Sequence, residues 1–92
     1  MSTPSEPRVR LYTTMMCAYC RAAKGLLEKR GVAYSEVDLS QDPVARQTLV
    51  ARTGWRTVPL IEIDGELVGG FTELRRLDLD GELEALVAPD RA

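Results

Sequence analysis

The sequence predicts an α/β domain, a four-stranded mixed sheet flanked by helices in the order β-α-β-α-β-β-α. Two observations carry this expectation. Near the start, two strand-like stretches enclose a helical one within roughly thirty residues, which is the βαβ unit with its right-handed crossover. Further on, two more strand-like stretches are joined by Asp64-Gly65, a dipeptide that hairpin turns prefer.

Each element has its own signal. Arg8 to Thr13, RVRLYT, alternates Val9 and Leu11 with outward charges and reads as the first strand. From about Ala18 to Arg30, the apolar residues Ala22, Ala23, Leu26 and Leu27 fall at helical spacing, and Gly31 supplies a left-handed stop. Val32 to Leu39 reads as the second strand. Asp42 then caps a helix whose first position is Pro43, with Ala45, Leu49 and Val50 facing inward and Gly54 at its end. The stretch VPLIEIDGELVG is an apolar strand, a turn and a short return strand. Phe71 to Leu77 and Gly81 to Val87 read as helical segments with Leu74, Leu77, Leu83 and Leu86 as their inward stripe, and Pro89 follows the end. With no internal repeat, linker or low-complexity segment, residues 8–88 are expected to form one domain between flexible termini, 1–7 and 89–92.

Composition narrows the function. A chain of 92 residues, 45% hydrophobic and 28% charged, has the ordinary figures of one globular domain with a single modest core. Its formal net charge of −2 gives no general attraction to nucleic acid or to an anionic membrane, so a partner must be sought at a local site. The opening residues contain no signal-peptide apolar run and no later stretch approaches a membrane span. A cytoplasmic location is therefore expected, where thiols are kept reduced.

The chain has two cysteines, Cys17 and Cys20, at the junction of the first strand and first helix. As a staple they would close a very small loop and remove little entropy from the unfolded chain. A structural zinc site takes four protein ligands, and here there are two cysteines and no histidine, so no metal site is expected. A CxxC at the first βα junction is instead the thioredoxin-like redox signal, which makes the expected fold thioredoxin-like. Cys17 stands where unpaired helix amides and the dipole lower a thiol pKa. Cys20, one turn on and on the same face, is placed to resolve a mixed disulfide. Pro59 cannot donate a ladder hydrogen bond and interrupts pairing just before its strand. After Gly69 and Gly70, the amides opening the last helix suit a carboxylate.

CAYC at 17–20, TVP at 57–59 and GGFTEL at 69–74, in that order, make the chain similar to the dithiol (class I) glutaredoxins from Arg8 to about Val87. The resemblance implies a glutathione-dependent thiol-disulfide oxidoreductase that reduces protein-glutathione mixed disulfides and protein disulfides. In that reading Cys17 and Cys20 are catalytic. Tyr19, Arg46, Thr57, Val58, Pro59, Gly70, Phe71 and Thr72 bind glutathione, the reducing co-substrate. The Val58–Pro59 bond would be cis and would present the Val58 backbone beside Cys17. Gly70, Phe71 and Thr72 would take the γ-glutamyl end, and Arg46 the glycyl carboxylate. The implied partners are glutathione and glutathionylated or disulfide-containing proteins, with the chain a monomer.

Three positions depart from the family pattern. The usual lysine three residues before the first cysteine is Thr14, the proline of CPYC is Ala18, and the usual aspartate is Thr72. Weaker glutathione binding than the family norm is expected, unless Arg21, Arg46 or Arg56 compensates. Two alternatives stay open: a redoxin reduced by thioredoxin reductase, and an iron-sulfur carrier in which two chains share a [2Fe-2S] cluster through Cys17 and two glutathiones. Met15 and Met16 form an apolar lip at the site or act as filler, and Trp55 is either exposed or core.

Overall fold

A computed structural model describes residues 7–86. The elements are β1 (Val9–Thr13), α1 (Ala18–Lys29), β2 (Tyr34–Asp38), α2 (Pro43–Thr53), β3 (Leu60–Ile63), β4 (Glu66–Gly69), α3 (Phe71–Leu79) and a 3-10 turn, Glu84–Leu86. One sheet has the order β2-β1-β3-β4. β1 pairs in parallel with β2 and antiparallel with β3, and β3 pairs antiparallel with β4. The expected architecture is thus present, with the βαβ unit and the hairpin meeting along β1 and β3.

Side chains of β1 and β3 are buried on both faces of the sheet, so two cores form. Val9, Leu11 and Ile61 pack with Ala23 and Leu27 of α1, Leu74 of α3 and Leu83. On the other face Tyr12 and Leu60 pack with Leu39 and with Leu49 of α2. The alternation of successive strand residues produces this division. Each buried Leu or Ile contributes about 1.5–3 kcal/mol through burial. Helices α1 and α3 therefore share one face, α2 covers the other, and β1 delivers the chain to Cys17 between the layers.

Local signals set the boundaries. Asp42 Oδ1 accepts the Ala45 N–H at 3.0 Å and Pro43 opens α2, as expected. Asp64 and Gly65, with φ of 55° and 85°, make the hairpin turn. Arg8 grips Asp64 with two parallel hydrogen bonds, Nε to Oδ1 at 2.9 Å and Nη2 to Oδ2 at 2.8 Å, which ties the start of β1 to that turn.

Some expectations change. β2 is shorter than Val32 to Leu39, although Val32 and Leu39 are buried beyond its ends. Ala22 is exposed rather than inward, because Cys20, Ala23 and Leu27 form the buried stripe of α1. The segment expected as a helix from Gly81 to Val87 is a turn followed by the 3-10 turn, and Val87, Pro89 and the outer termini lie outside the described residues. Gly81 is the reason: at φ 80° it terminates α3, while Gly81 N–H donates to Asp78 C=O at 3.0 Å and Glu82 N–H to Leu77 C=O at 2.9 Å. These are the paired bonds of a Schellman stop, so the glycine ends the earlier helix instead of beginning another.

Candidate active site

Cys17 is the N-cap residue of α1, with extended backbone at φ −113° and ψ 108°. Its Sγ accepts the Cys20 N–H at 3.0 Å, and its carbonyl accepts the Arg21 N–H at 3.1 Å. No acidic side chain occupies the first turn of α1, so nothing there opposes a thiolate. Cys17 and Cys20 are joined as a disulfide with their Cα atoms 5.1 Å apart. Cys20 is only 2% exposed, whereas Cys17 is half-buried and reaches the surface. The two sulfurs are therefore unequal: an incoming sulfur has access to Cys17 and not to Cys20.

The loop before β3 closes one side. Cys17 Sγ lies 3.8 Å from the Val58 carbonyl oxygen, and the Val58–Pro59 bond is cis, as the resemblance implies. Pro59 is buried and Thr57 exposed. The segment that opens α3 closes another side. Tyr19 and Phe71 stand with ring centroids 6.0 Å apart. A Cβ added at Gly70 would come within 3.3 Å of Trp55 Cζ2 and 3.4 Å of the Pro59 carbonyl oxygen. The three motifs thus converge: CAYC meets TVP through Cys17 and Val58, CAYC meets GGFT through Tyr19 and Phe71, and TVP meets GGFT through Pro59 and Gly70.

Arg46 stands apart from these contacts. It is half-buried on α2 and lines, with Pro43, Gln47, Val50, Ala51 and Arg56, a groove of about 450 Å³. Thr72 is exposed on the first turn of α3. Met15 and Met16 are 60% and 89% exposed, so neither acts as core filler. Trp55 is half-buried against Tyr12, Leu39, Leu49 and Leu60.

Two supporting residues lie outside the expected set. Glu73 Oε1 accepts the Gly70 N–H at 2.8 Å, the reciprocal half of a capping box, and its side chain packs over Gly69. The sequence signal was available in Gly70-x-x-Glu73, a small N-cap followed three residues later by glutamate. Ser40 Oγ accepts the Met15 N–H at 2.6 Å, while the Ser40 N–H donates to Asp38 Oδ1 at 2.8 Å. The hydrogen bonds from Ser40 hold the Asp38 carboxyl below its usual range. No sequence signal marks this brace, because it joins loops that only the fold brings together.

With this geometry in place, comparison with known proteins is decisive. The glutaredoxin family model matches residues 9–68. The chain belongs to the glutaredoxin family. It is 38% identical over 79 residues to glutaredoxin 3 of Escherichia coli K12, covering 86% of this chain and 95% of that one. A Pseudomonas aeruginosa glutaredoxin is 40% identical over 82 residues, covering 89% and 98%. Among solved structures, a buckwheat glutaredoxin-glutathione complex superposes with a TM-score of 0.81 at 27% identity, covering 88% of this chain and 76% of that one. The holo form of glutaredoxin C1 from Populus tremula x tremuloides gives 0.78 at 30% identity, with 88% and 83% covered. The thioredoxin-like fold and the thiol-disulfide oxidoreductase class follow from this membership.

Among the described residues, no group of three or more histidine, cysteine, aspartate or glutamate side chains is placed to hold a metal ion. No helix among the described residues is long and apolar enough to cross a membrane.

Proposed function

We propose that this glutaredoxin reduces protein-glutathione mixed disulfides and protein disulfides in the cytoplasm, as a monomer whose catalytic domain spans residues 8–88. Cys17 is the nucleophile and Cys20 the resolving thiol. In deglutathionylation the Cys17 thiolate attacks the glutathione sulfur, the protein thiolate departs and takes a proton, and Cys17 carries glutathione. A second glutathione thiolate then attacks that sulfur, releasing oxidised glutathione and restoring Cys17. With a protein disulfide, Cys17 forms the mixed disulfide and Cys20 displaces the protein thiol by closing the Cys17–Cys20 bond, which glutathione later reduces.

Glutathione lies along the three converging motifs. Its cysteinyl backbone pairs with Val58 in the manner of an added strand, between Thr57 and Pro59. The γ-glutamyl carboxylate takes the amides of Phe71 and Thr72 beside Gly70, whose own N–H is held by Glu73, while Tyr19 flanks the tripeptide and Arg46 receives the glycyl carboxylate. The observation that carries the reading is the asymmetry of the sulfurs: Cys17 reaches the surface at the helix terminus, 3.8 Å from the Val58 carbonyl, above a Cys20 that is 2% exposed.

The test uses a glutathionylated substrate supplied either with glutathione and glutathione reductase or with thioredoxin reductase alone. Turnover is expected with the first supply. Cys17→Ser abolishes it, while Cys20→Ser keeps deglutathionylation and loses protein-disulfide reduction. Substantial turnover by Cys17→Ser would sink the assignment, and turnover sustained by thioredoxin reductase alone would replace glutathione as the reductant.

A further inference from the structure

Three apolar side chains stand in solvent within two residues of Cys17 or of its partner. Met15 is 60% exposed, Met16 89% and Tyr19 66%. Met16 also sits at φ 59°, a left-handed conformation that costs an unbranched non-glycine residue free energy. Neither exposure nor backbone strain helps the isolated chain. Apolar groups gathered at the edge of a reactive sulfur are what a partner surface would cover.

The charges follow a separate pattern. Arg8, Lys24, Arg30 and Arg52 each hold a carboxylate, Asp64, Glu36, Asp78 and Glu62 in turn. Arg21, Arg46 and Arg56 make no ion pair among the described residues, and neither do Lys29, Arg75 and Arg76 on other parts of the surface. Of these, Arg21 and Arg56 belong to the segments that hold the site. Arg21 lies one turn along α1 from Cys17, Arg46 lies on α2, and Arg56 precedes Val58 by two residues. Arg46 and Arg56 share the groove whose other lining includes the apolar Val50 and Ala51. The Asp38 and Asp42 carboxylates accept the Ser40 and Ala45 N–H groups and keep their negative charge. Arg21 and Arg56, both exposed and without an ion-pair partner among the described residues, thus stand on the two segments that carry Cys17 and Val58.

We infer that this surface docks the polypeptide of a glutathionylated protein, selecting partners with an apolar side chain and carboxylates beside the modified cysteine. The inference rests on the oxidoreductase reading and adds the identity of the leaving group's surroundings. Met15, Met16 and Tyr19 cover the apolar side chain, and Arg21 and Arg56 meet the flanking carboxylates. The guanidiniums raise the encounter rate with an acidic partner more than they lengthen its stay.

Two peptides test this, each glutathionylated at one cysteine beside a leucine, with glutamates flanking in one and lysines in the other. Both carry the same glutathionyl group, so any effect on glutathione recognition cancels in the ratio of their kcat/KM values. At low salt the ratio favours the acidic peptide by about tenfold, and it falls towards unity at roughly 0.5 M salt as screening shortens the reach of exposed charges. The double variant Arg21→Glu, Arg56→Glu reverses the preference, and Met16→Ser slows both peptides severalfold but leaves the mixed disulfide of cysteine and glutathione unaffected. Equal rates on the two peptides overturn the inference and leave the oxidoreductase reading standing. Failure on the cysteine-glutathione disulfide as well removes that reading. A homodimer dispersed by Met16→Ser would also overturn the inference, since a second copy would then be the occupant.

Discussion

The turn between β4 and α3 gives a prediction whose magnitude can be worked from named atoms. Gly69 has φ 134°, outside the regions L side chains adopt, and a Cβ there would lie 2.7 Å from Glu73 Cγ and 2.9 Å from its Cδ and Oε1. Gly69→Ala therefore carries two costs. The backbone strain is about 1–3 kcal/mol. Glu73 must also swing away and release the Gly70 N–H, a loss of about 1–2 kcal/mol for an exposed-side carboxylate cap. The total is about 2–5 kcal/mol. Glu73→Ala alone loses only the cap, about 1–2 kcal/mol. Once Glu73 is absent the steric conflict disappears, so the double variant costs the same as Gly69→Ala and not the sum of the two singles. Urea unfolding of all four proteins measures this cycle, with a coupling equal to the cost of Glu73→Ala. Strict additivity would refute the account, because it would mean Gly69→Ala leaves the Glu73–Gly70 hydrogen bond intact. Gly70→Ala provides the contrast: with φ −107° and nearest approaches of 3.3 and 3.4 Å, it costs less than Gly69→Ala and acts by shifting Trp55 or the Pro59 carbonyl.

Three further outcomes are expected. Reduced Cys17 titrates below the free-cysteine value of about 8.5, and Thr14→Lys lowers it further; the pH profile of alkylation measures this, and a profile centred on the free value would remove the helix-terminus argument. Tyr34 is pushed up to about 12, first by burial and then by its hydrogen bond to Glu28, so the folded state favours the neutral phenol. This contribution to stability is present below the ordinary value of 10.0 and lost as pH rises towards about 12, and Tyr34→Phe removes it from the pH dependence of the urea midpoint. Finally, Glu62 is 5% exposed, with Arg52 Nη1 2.9 Å from Oε2 in an ion pair lacking hydrogen-bond alignment, and Tyr12 donates to Oε1 at 3.4 Å. Arg52→Ala strands that carboxylate and costs about 1–3 kcal/mol after allowance for the half-exposed guanidinium, and Glu62→Met in the same chain restores stability.

Much of the fold was legible because it rests on local signals. The βαβ unit, the Asp42-Pro43 start of α2 and the Asp64-Gly65 turn each depend on residues within a few positions of one another. What stayed hidden depends on distant chain segments. Arg30 reaches Asp78 with Nε to Oδ1 at 2.6 Å and Nη2 to Oδ2 at 3.0 Å, joining the ends of α1 and α3 across 48 residues. That pair holds the Asp78 carboxyl below its usual range, yet neither residue stands out in the sequence. Glu62 sits within an apolar strand, and periodicity cannot show that its face meets Arg52 and Tyr12.

The site divides along the same line. Cys17 and Cys20 declared themselves because a dithiol at a strand-helix junction needs only spacing. The convergence of TVP and GGFT on them needed the sheet order, since β1 carries Cys17 and pairs with β3, which follows Pro59, while β4 leads into Gly70. The residues that hold this convergence serve the backbone of other residues. Trp55 packs beside Gly70, Glu73 fixes the Gly70 amide and Ser40 braces Met15. Replacing one of them removes a support from a neighbouring backbone atom while both sulfurs remain. Such positions separate two things that a motif joins: CxxC gives the capacity for exchange, and the braces around Gly70 and Met15 fix the backbone beside it.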